Sequence, residues 1–247
     1  MKTIEIIYED KNVLVINKPS GLLVHEEKQG SAEETVVSWF IQKYPDAKGV
    51  GEPQFDMQGN LIERSGVVHR LDKGTSGVLI LAKNQPAYEH LKAQFHDRLA
   101  HKEYHAIVYG YFKAIKGRIE APIGRSKSDP RKRSAFKTAI GTLRDAVTDW
   151  ELITQNAHFA HVRLLPKTGR THQLRAHLTS IVHPIVGDWL YASKEQSEST
   201  QEVPRILLHA YALTIALPEG EEKKFSTELP SEFTDFITKK INKKETP

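Results

Sequence analysis

Apolar and polar positions alternate near the N-terminus in a way that predicts short strands. Residues 4–8 and 12–17 read as two strands split by the charged break Glu9-Asp10-Lys11. Lys18-Pro19-Ser20-Gly21 ends the second strand, because proline cannot continue a ladder and glycine permits a sharp turn. Residues 32–44 carry Val36, Val37, Trp39, Phe40 and Ile41 in the pattern of a partly buried helix. Residues 48–65 are glycine-rich and read as loop. Residues 67–68 and 78–82 read as strands flanking a tight turn. Residues 86–99 read as a helix, with Pro86 in the first turn, where a missing N–H costs least.

Residues 101–109 read as a strand, 113–151 as several strands with basic loops, and 159–165 as another strand. Residues 170–181 place Leu174, Leu178 and Ile181 on one face of a helix. Late strands are expected at 206–208 and 213–217. A closing helix is expected at 231–240, with Ser231 as N-cap and Phe233, Phe236 and Ile237 facing inward. Residues 194–202 read as an exposed polar loop, and 239–247 as a basic tail that frays. There is no internal repeat. Helices and strands mix without a regular βαβ rhythm, which favours an α+β fold with a largely antiparallel sheet.

The chain has 247 residues, enough for one large domain or two lobes sharing a sheet. Charged residues at 27% and hydrophobic residues at 39% describe an ordinary globular protein. Lys plus Arg number 35 against 31 Asp plus Glu, a net of +4, so the total charge argues only weakly for a polyanionic partner. With no cysteine, disulfides, thiolate metal sites and a cysteine nucleophile are excluded. The first residues lack a signal-peptide pattern, and no apolar run approaches the roughly 20 residues of a membrane helix. The expectation is a cytoplasmic protein without a membrane partner.

Three segments carry candidate chemistry. Gly66-Val67-Val68-His69-Arg70-Leu71-Asp72-Lys73-Gly74-Thr75-Ser76-Gly77 puts one carboxylate at a tight turn between strands. Gly74 and Gly77 permit the turn, Thr75 and Ser76 can cap freed N–H groups, and Arg70 is near enough to share a ligand with Asp72. Alone, this segment also fits an ordinary turn aspartate beside a surface arginine. Lys167-Thr168-Gly169-Arg170-Thr171-His172-Gln173-Leu174-Arg175 runs through a glycine turn into a helix, whose N-terminus attracts anions. Alone, it fits a solvated basic helix end. Lys102-Glu103-Tyr104 opens a strand, where a tyrosine is usually a packing residue.

Together these segments closely resemble the RluA family of pseudouridine synthases. That family carries H-R-L-D-x-x-T-S-G, then K-x-Y about thirty residues later, then T-G-R-T-H-Q-L-R, and this sequence holds all three in order. The opening from Glu9 to Pro19 with Gly21, the late Val182-His183-Pro184-Ile185-Val186-Gly187-Asp188, and Leu207-Leu208-His209-Ala210 also match. The resemblance covers roughly residues 5–220.

It implies a fold, a reaction and a site. The fold is a bifurcated, mainly antiparallel mixed sheet flanked by helices, with a central RNA-binding cleft. The expected organisation is a single catalytic domain over residues 1–247, with its core at about 4–220 and a basic C-terminal helix and tail at 231–247. Many relatives carry a small RNA-binding domain ahead of the catalytic one; here the catalytic pattern starts near residue 4, and no such domain is expected. The reaction isomerises uridine in structured ribosomal or transfer RNA, with no cofactor and no metal, in a protein expected to be monomeric.

Asp72 would be the catalytic aspartate. Tyr104 would stack on the target base and help remove its C5 proton. Arg170 would pair with Asp72 and keep it ionised. Arg70 would fill the gap left when the uridine leaves its stack. His69, Thr75, Lys102, His172, Gln173 and Arg175 complete the expected substrate contacts. Residues 125–137 hold Arg125, Lys127, Arg131, Lys132, Arg133 and Lys137 against one Asp129, and read as a flexible loop in which Arg131, Lys132 and Arg133 grip phosphates.

Two other classes compete. Twelve histidines raise a metal hydrolase, but His172 and His177 are five apart, a poor ligand spacing on a helix. An RNA-binding module without activity would lack the aspartate or the tyrosine, and both are present.

Overall fold

The computed structural model describes residues 3–26, 33–56, 58–135 and 139–242. In chain order the first elements are strands β1 (Glu5–Glu9) and β2 (Val13–Lys18), helix α1 (Val36–Lys43), strands β3 (Gln54–Phe55), β4 (Leu61–Ile62) and β5 (Ser76–Ala82), and helix α2 (Gln85–His96). Strands β6 (His101–Tyr109), β7 (Lys116–Glu120), β8 (Ile123–Ser126), β9 (Arg133–Ser134), β10 (Ala139–Arg144), β11 (Val147–Gln155) and β12 (Phe159–Pro166) follow. Then come helices α3 (Gln173–Ser180) and α4 (Lys194–Ser199), strands β13 (Leu208–Ala216) and β14 (Glu222–Ser226), and helix α5 (Ser231–Phe236), which runs into a π-helical turn at Ile237–Ile241. This is an α+β protein with mainly antiparallel sheet, as the pattern predicts.

The chain divides into two compact units: residues 1–101 with 210–227, and residues 102–209 with 228–247. In the first unit the strand order is β1-β2-β5-β13, with β14 on β13. The pairs β1 with β2, β2 with β5, and β13 with β14 are antiparallel. Alternate residues Val13, Val15, Val78 and Ile80 point one way, as strand periodicity requires, and pack with Ala87, Tyr88 and Leu91 of α2. Each such fully buried aliphatic side chain contributes roughly 1.5–3 kcal/mol. Asn84 caps α2 by accepting from the Ala87 N–H at 3.0 Å.

In the second unit the order is β6-β12-β11-β7, again antiparallel. Ala106, Val108, Val162 and Leu164 form its core with Leu174 and Leu178 of α3. A separate three-stranded sheet, β10-β8-β9, belongs to the same unit.

Several expectations need correction. Residues 125–135 are not merely loop: Arg125 pairs with Arg133 and Gly124 with Ser134 in a hairpin, which β10 extends. Its serines and arginines hide the strands because pairing, not hydrophobic alternation, holds them; Lys137 lies outside the described residues. Residues 194–199 form a helix rather than a loop, started by a capping box between Ser193 and Gln196. Pro230, not Ser231, occupies the N-cap of α5. Residues 67–68 make a single bridge from Val67 to Leu81 rather than a strand. Residues 48–65 contain the small hairpin β3–β4, and 206–208 with 213–217 belong largely to one strand, β13.

Candidate active-site residues in the two units

In the first unit, Asp72 sits on the turn that feeds β5. Its carbonyl accepts the Thr75 N–H at 3.1 Å, closing the turn. The next two carbonyls are tied to the loop after β2. Lys73 O accepts the Gly21 N–H at 2.7 Å, and Gly74 O accepts the Ser20 hydroxyl at 2.6 Å. Beneath them lies Lys18, with no solvent exposure. Its ammonium donates to Leu22 O at 2.7 Å, Pro19 O at 3.1 Å and Lys73 O at 3.3 Å. A buried charge is tolerable only when bonded in this way. Leu71, Thr75 and Ser76 are buried on either side, while Asp72 is half-buried. Gly77 has φ +115°, and a Cβ there would meet Ala210 O at 2.1 Å, so only glycine fits. The turn is thus anchored from below, from the loop after β2 and from β13.

His69 and Arg70 flank the aspartate's segment. His69 Nε2 accepts the Ile80 N–H at 3.2 Å, and its ring stacks on Phe95 at 4.5 Å, so it fastens the segment to β5 and α2. Arg70 is exposed, and its guanidinium meets His25 Nε2 at 3.2 Å.

In the second unit, Lys102 and Tyr104 share one face of β6. Tyr104 pairs with Leu164 of β12 and rests on the core beneath α3. The Lys102 ammonium donates to Thr168 O at 3.2 Å. Burial, with the charge of Arg170 adding to it, lowers its pKa to about 8. Arg170 lies before α3, not on it: the helix opens at Gln173, and His172 holds the N-cap with φ +54°. Gln173 organises this loop. Its carbonyl oxygen accepts from the Thr168 hydroxyl at 2.7 Å and the Arg170 N–H at 3.0 Å. Its amide donates to Val147 O and the Thr148 hydroxyl, both at 3.0 Å. Gln173 therefore acts on Arg170 through the loop. The Arg170 guanidinium donates to Asp145 O at 3.2 Å.

The far side of α3 meets the basic hairpin through Tyr191. Its hydroxyl accepts the Arg133 N–H at 2.7 Å, donates to Arg133 O at 3.2 Å and lies 3.1 Å from His172 Nδ1. Arg175 stacks on the Tyr191 ring at 4.8 Å and grips Asp188 through two bonds of 2.7 and 2.9 Å. Asp129 is held at about 2 chiefly by its bond to the Arg131 side chain. Arg131 is thus charge-compensated within the hairpin. His177 is buried between the Thr148 hydroxyl and Ala121 O. Among the described residues, no group of three or more His, Asp or Glu is placed to hold a metal ion, and no helix is long and apolar enough to cross a membrane.

The anchors Lys18, Ser20, His25, Asp188 and Tyr191 carry no role in the sequence reading. Lys18 and Asp188 lie in segments of the resemblance, which is the signal that could have flagged them.

A family model described as RNA pseudouridylate synthase matches residues 12–180, a span that includes Asp72, Tyr104 and Arg170. Ribosomal large subunit pseudouridine synthase D of Borreliella burgdorferi is 38% identical over 236 residues, 95% of this chain and 68% of that protein. The chain belongs to the RluA family of RNA pseudouridine synthases. An uncharacterised RNA pseudouridine synthase of Synechocystis sp. is 36% identical over 235 residues, with the same coverage of 95% and 68%. The solved structure of human RNA pseudouridylate synthase domain containing 1 matches with a TM-score of 0.72 at 25% identity. That match covers 92% of this chain and 84% of the human one. This synthase is an isomerase that acts on RNA.

Proposed function

We propose that Asp72 is the catalytic aspartate of this synthase, with Tyr104 and Arg170 as its partners in the reaction. The observation that carries the reading is the mounting of Asp72. It lies within the family match, in the H-R-L-D segment, on a turn whose carbonyls are tied to Gly21, Ser20 and Lys18. A catalytic group gains from being held rigidly before the substrate arrives.

The reaction explains the residue types. The N1–C1′ bond of uridine breaks, the base turns, C5 bonds to C1′, the C5 proton leaves and N1 takes up a proton. A carboxylate can attack the sugar or base, or assist as the glycosidic bond cleaves. An aromatic ring such as Tyr104 gives a detached base a stacking platform. From the family pattern, Arg170 is proposed as the cationic partner of the aspartate. The target base must leave its stack, and Arg70 is the residue proposed to replace it. We take the whole chain as the catalytic domain, since the family match runs from residue 12 to residue 180.

The ribosomal name of the Borreliella relative favours ribosomal over transfer RNA as substrate, and hence the cytoplasm as the site of action. The basic hairpin β8–β9, with Arg125, Lys127, Lys132 and Arg133, is proposed to hold RNA phosphates. Pseudouridine mapping in ribosomal and transfer RNA, from cells with and without this protein, tests the substrate. The expected result is loss of modification at one or more ribosomal uridines. Unchanged ribosomal RNA would overturn it.

A further inference from the structure

His25 is buried, with 5% of its surface exposed, 45 residues before Arg70 in the chain. Its backbone is fixed by its neighbours: the Val36 and Val37 N–H groups at the start of α1 donate to Leu23 O and Val24 O, both at 2.9 Å. Its ring has two polar contacts, and their chemistry leaves one tautomer. Nδ1 lies 2.7 Å from Glu26 O, which can only accept, so Nδ1 carries the proton. Nε2 lies 3.2 Å from the Arg70 guanidinium, which can only donate, so Nε2 presents a lone pair. The neutral Nδ1–H imidazole satisfies both contacts; an imidazolium would set an N–H against the guanidinium.

The surroundings keep the ring in that form. Burial, with the charges of Arg64 and Arg70 adding to it against the opposing pull of Glu26 O, lowers its pKa to about 4. His25 is thus neutral throughout the physiological range. It accepts from an arginine whose own side chain reaches solvent.

We propose that His25 is a positioning residue, whose fixed Nε2 lone pair aims the Arg70 guanidinium at the gap left by the extruded uridine. The inference rests on the proposed role of Arg70. It adds a buried acceptor that helps set the arginine's direction before RNA arrives. Ordering a long arginine side chain costs conformational entropy, and each contact that holds it in advance removes part of that cost from the step that extrudes the base.

A double-mutant cycle on isomerisation of transcribed large-subunit ribosomal RNA tests the coupling. The variants are His25→Leu, which has no acceptor, His25→Gln, which keeps one, Arg70→Ala, and the Leu–Ala double. A lost hydrogen bond to a charged group corresponds to roughly tenfold or more, so His25→Leu and Arg70→Ala should each lower kcat/KM by about tenfold. The double should be no worse than Arg70→Ala alone, and His25→Gln should recover part of the loss. Ring ¹⁵N spectra should show Nδ1 protonated and Nε2 unprotonated from pH 5 to 8.

A residue that only fills space would lower the melting temperature, and its effect on kcat/KM would multiply with that of Arg70→Ala. Multiplying losses, a wild-type His25→Leu, or a protonated Nε2 would overturn the proposal while leaving the role of Arg70 intact. An Arg70→Ala enzyme of wild-type activity would overturn both. If His25→Leu fails to fold, the cycle with His25→Gln and the ring spectra decide between the same outcomes.

Discussion

Lys102 should make the protein less stable at neutral pH than its size and packing suggest, and replacing it should reveal this. Burial beside Arg170 lowers its pKa from 10.5 to about 8. At about 1.4 kcal/mol per tenfold change in proton affinity, the charged form is disfavoured in the folded protein by at most about 3.5 kcal/mol. Below pH 8 both the folded and the unfolded chain keep the proton, and the full penalty applies. Between pH 8 and 10.5 the folded protein releases the proton and the unfolded chain retains it, so stability rises with pH through this window. Lys102→Met keeps the chain length and removes the charge, but gives up the bond to Thr168 O, a loss of about 1 kcal/mol. The variant should therefore be more stable than wild type by up to about 2.5 kcal/mol at pH 7. The advantage should vanish by about pH 10. Urea midpoints of both proteins across pH 7 to 10 measure the difference and cancel groups that titrate in both. RNA phosphate beside the ammonium would raise its pKa again, so wild-type RNA affinity should fall above pH 8 and that of the variant should not. A variant less stable than wild type at pH 7, or a difference that does not change with pH, would refute the reasoning.

Two further outcomes are expected. Tyr104→Phe keeps the ring face but loses the hydroxyl; it should bind RNA normally and accumulate detached base, observed by quenching single turnovers, whereas full activity would show that the ring alone suffices. Neutralising Arg131, Lys132 and Arg133 together should weaken RNA binding and reduce the slope of log affinity against log salt by about 2, since Arg131 is already compensated by Asp129. An unchanged slope would return the hairpin to the ordinary solvated surface.

The strands were legible where apolar residues alternate or run together. Residues 101–109 coincide with β6, because Ala106, Ile107 and Val108 sit in a core that pairing and burial both favour. The boundaries at Arg170 were not, because His172 takes a left-handed backbone that no side-chain pattern announces. The hairpin β8–β9 was hidden for the opposite reason: it pairs polar residues with polar residues. Helix α4 was hidden because none of its residues is buried, so no apolar stripe marks it.

The candidate catalytic residues were named from the order of three motifs, which is local information. Their supports were not. Lys18 reaches Lys73 across 55 positions, Arg70 reaches His25 across 45, and Arg133 reaches Tyr191 across 58. A single sequence carries no trace of such pairings, since each partner alone is an ordinary buried or surface residue.

Asp72 is proposed to perform the chemistry on a turn built to hold it, and RNA tritiated at C5 of uridine puts that role to the test. Joining C5 to C1′ expels that hydrogen, so tritium release counts completed isomerisations. Wild type should release tritium in proportion to the pseudouridine formed. Asp72→Asn keeps the shape and the turn's backbone bonds but loses the charge; it should bind the same RNA, melt at the same temperature and release none. Release by Asp72→Asn within about tenfold of the wild-type rate would contradict the role given to the aspartate.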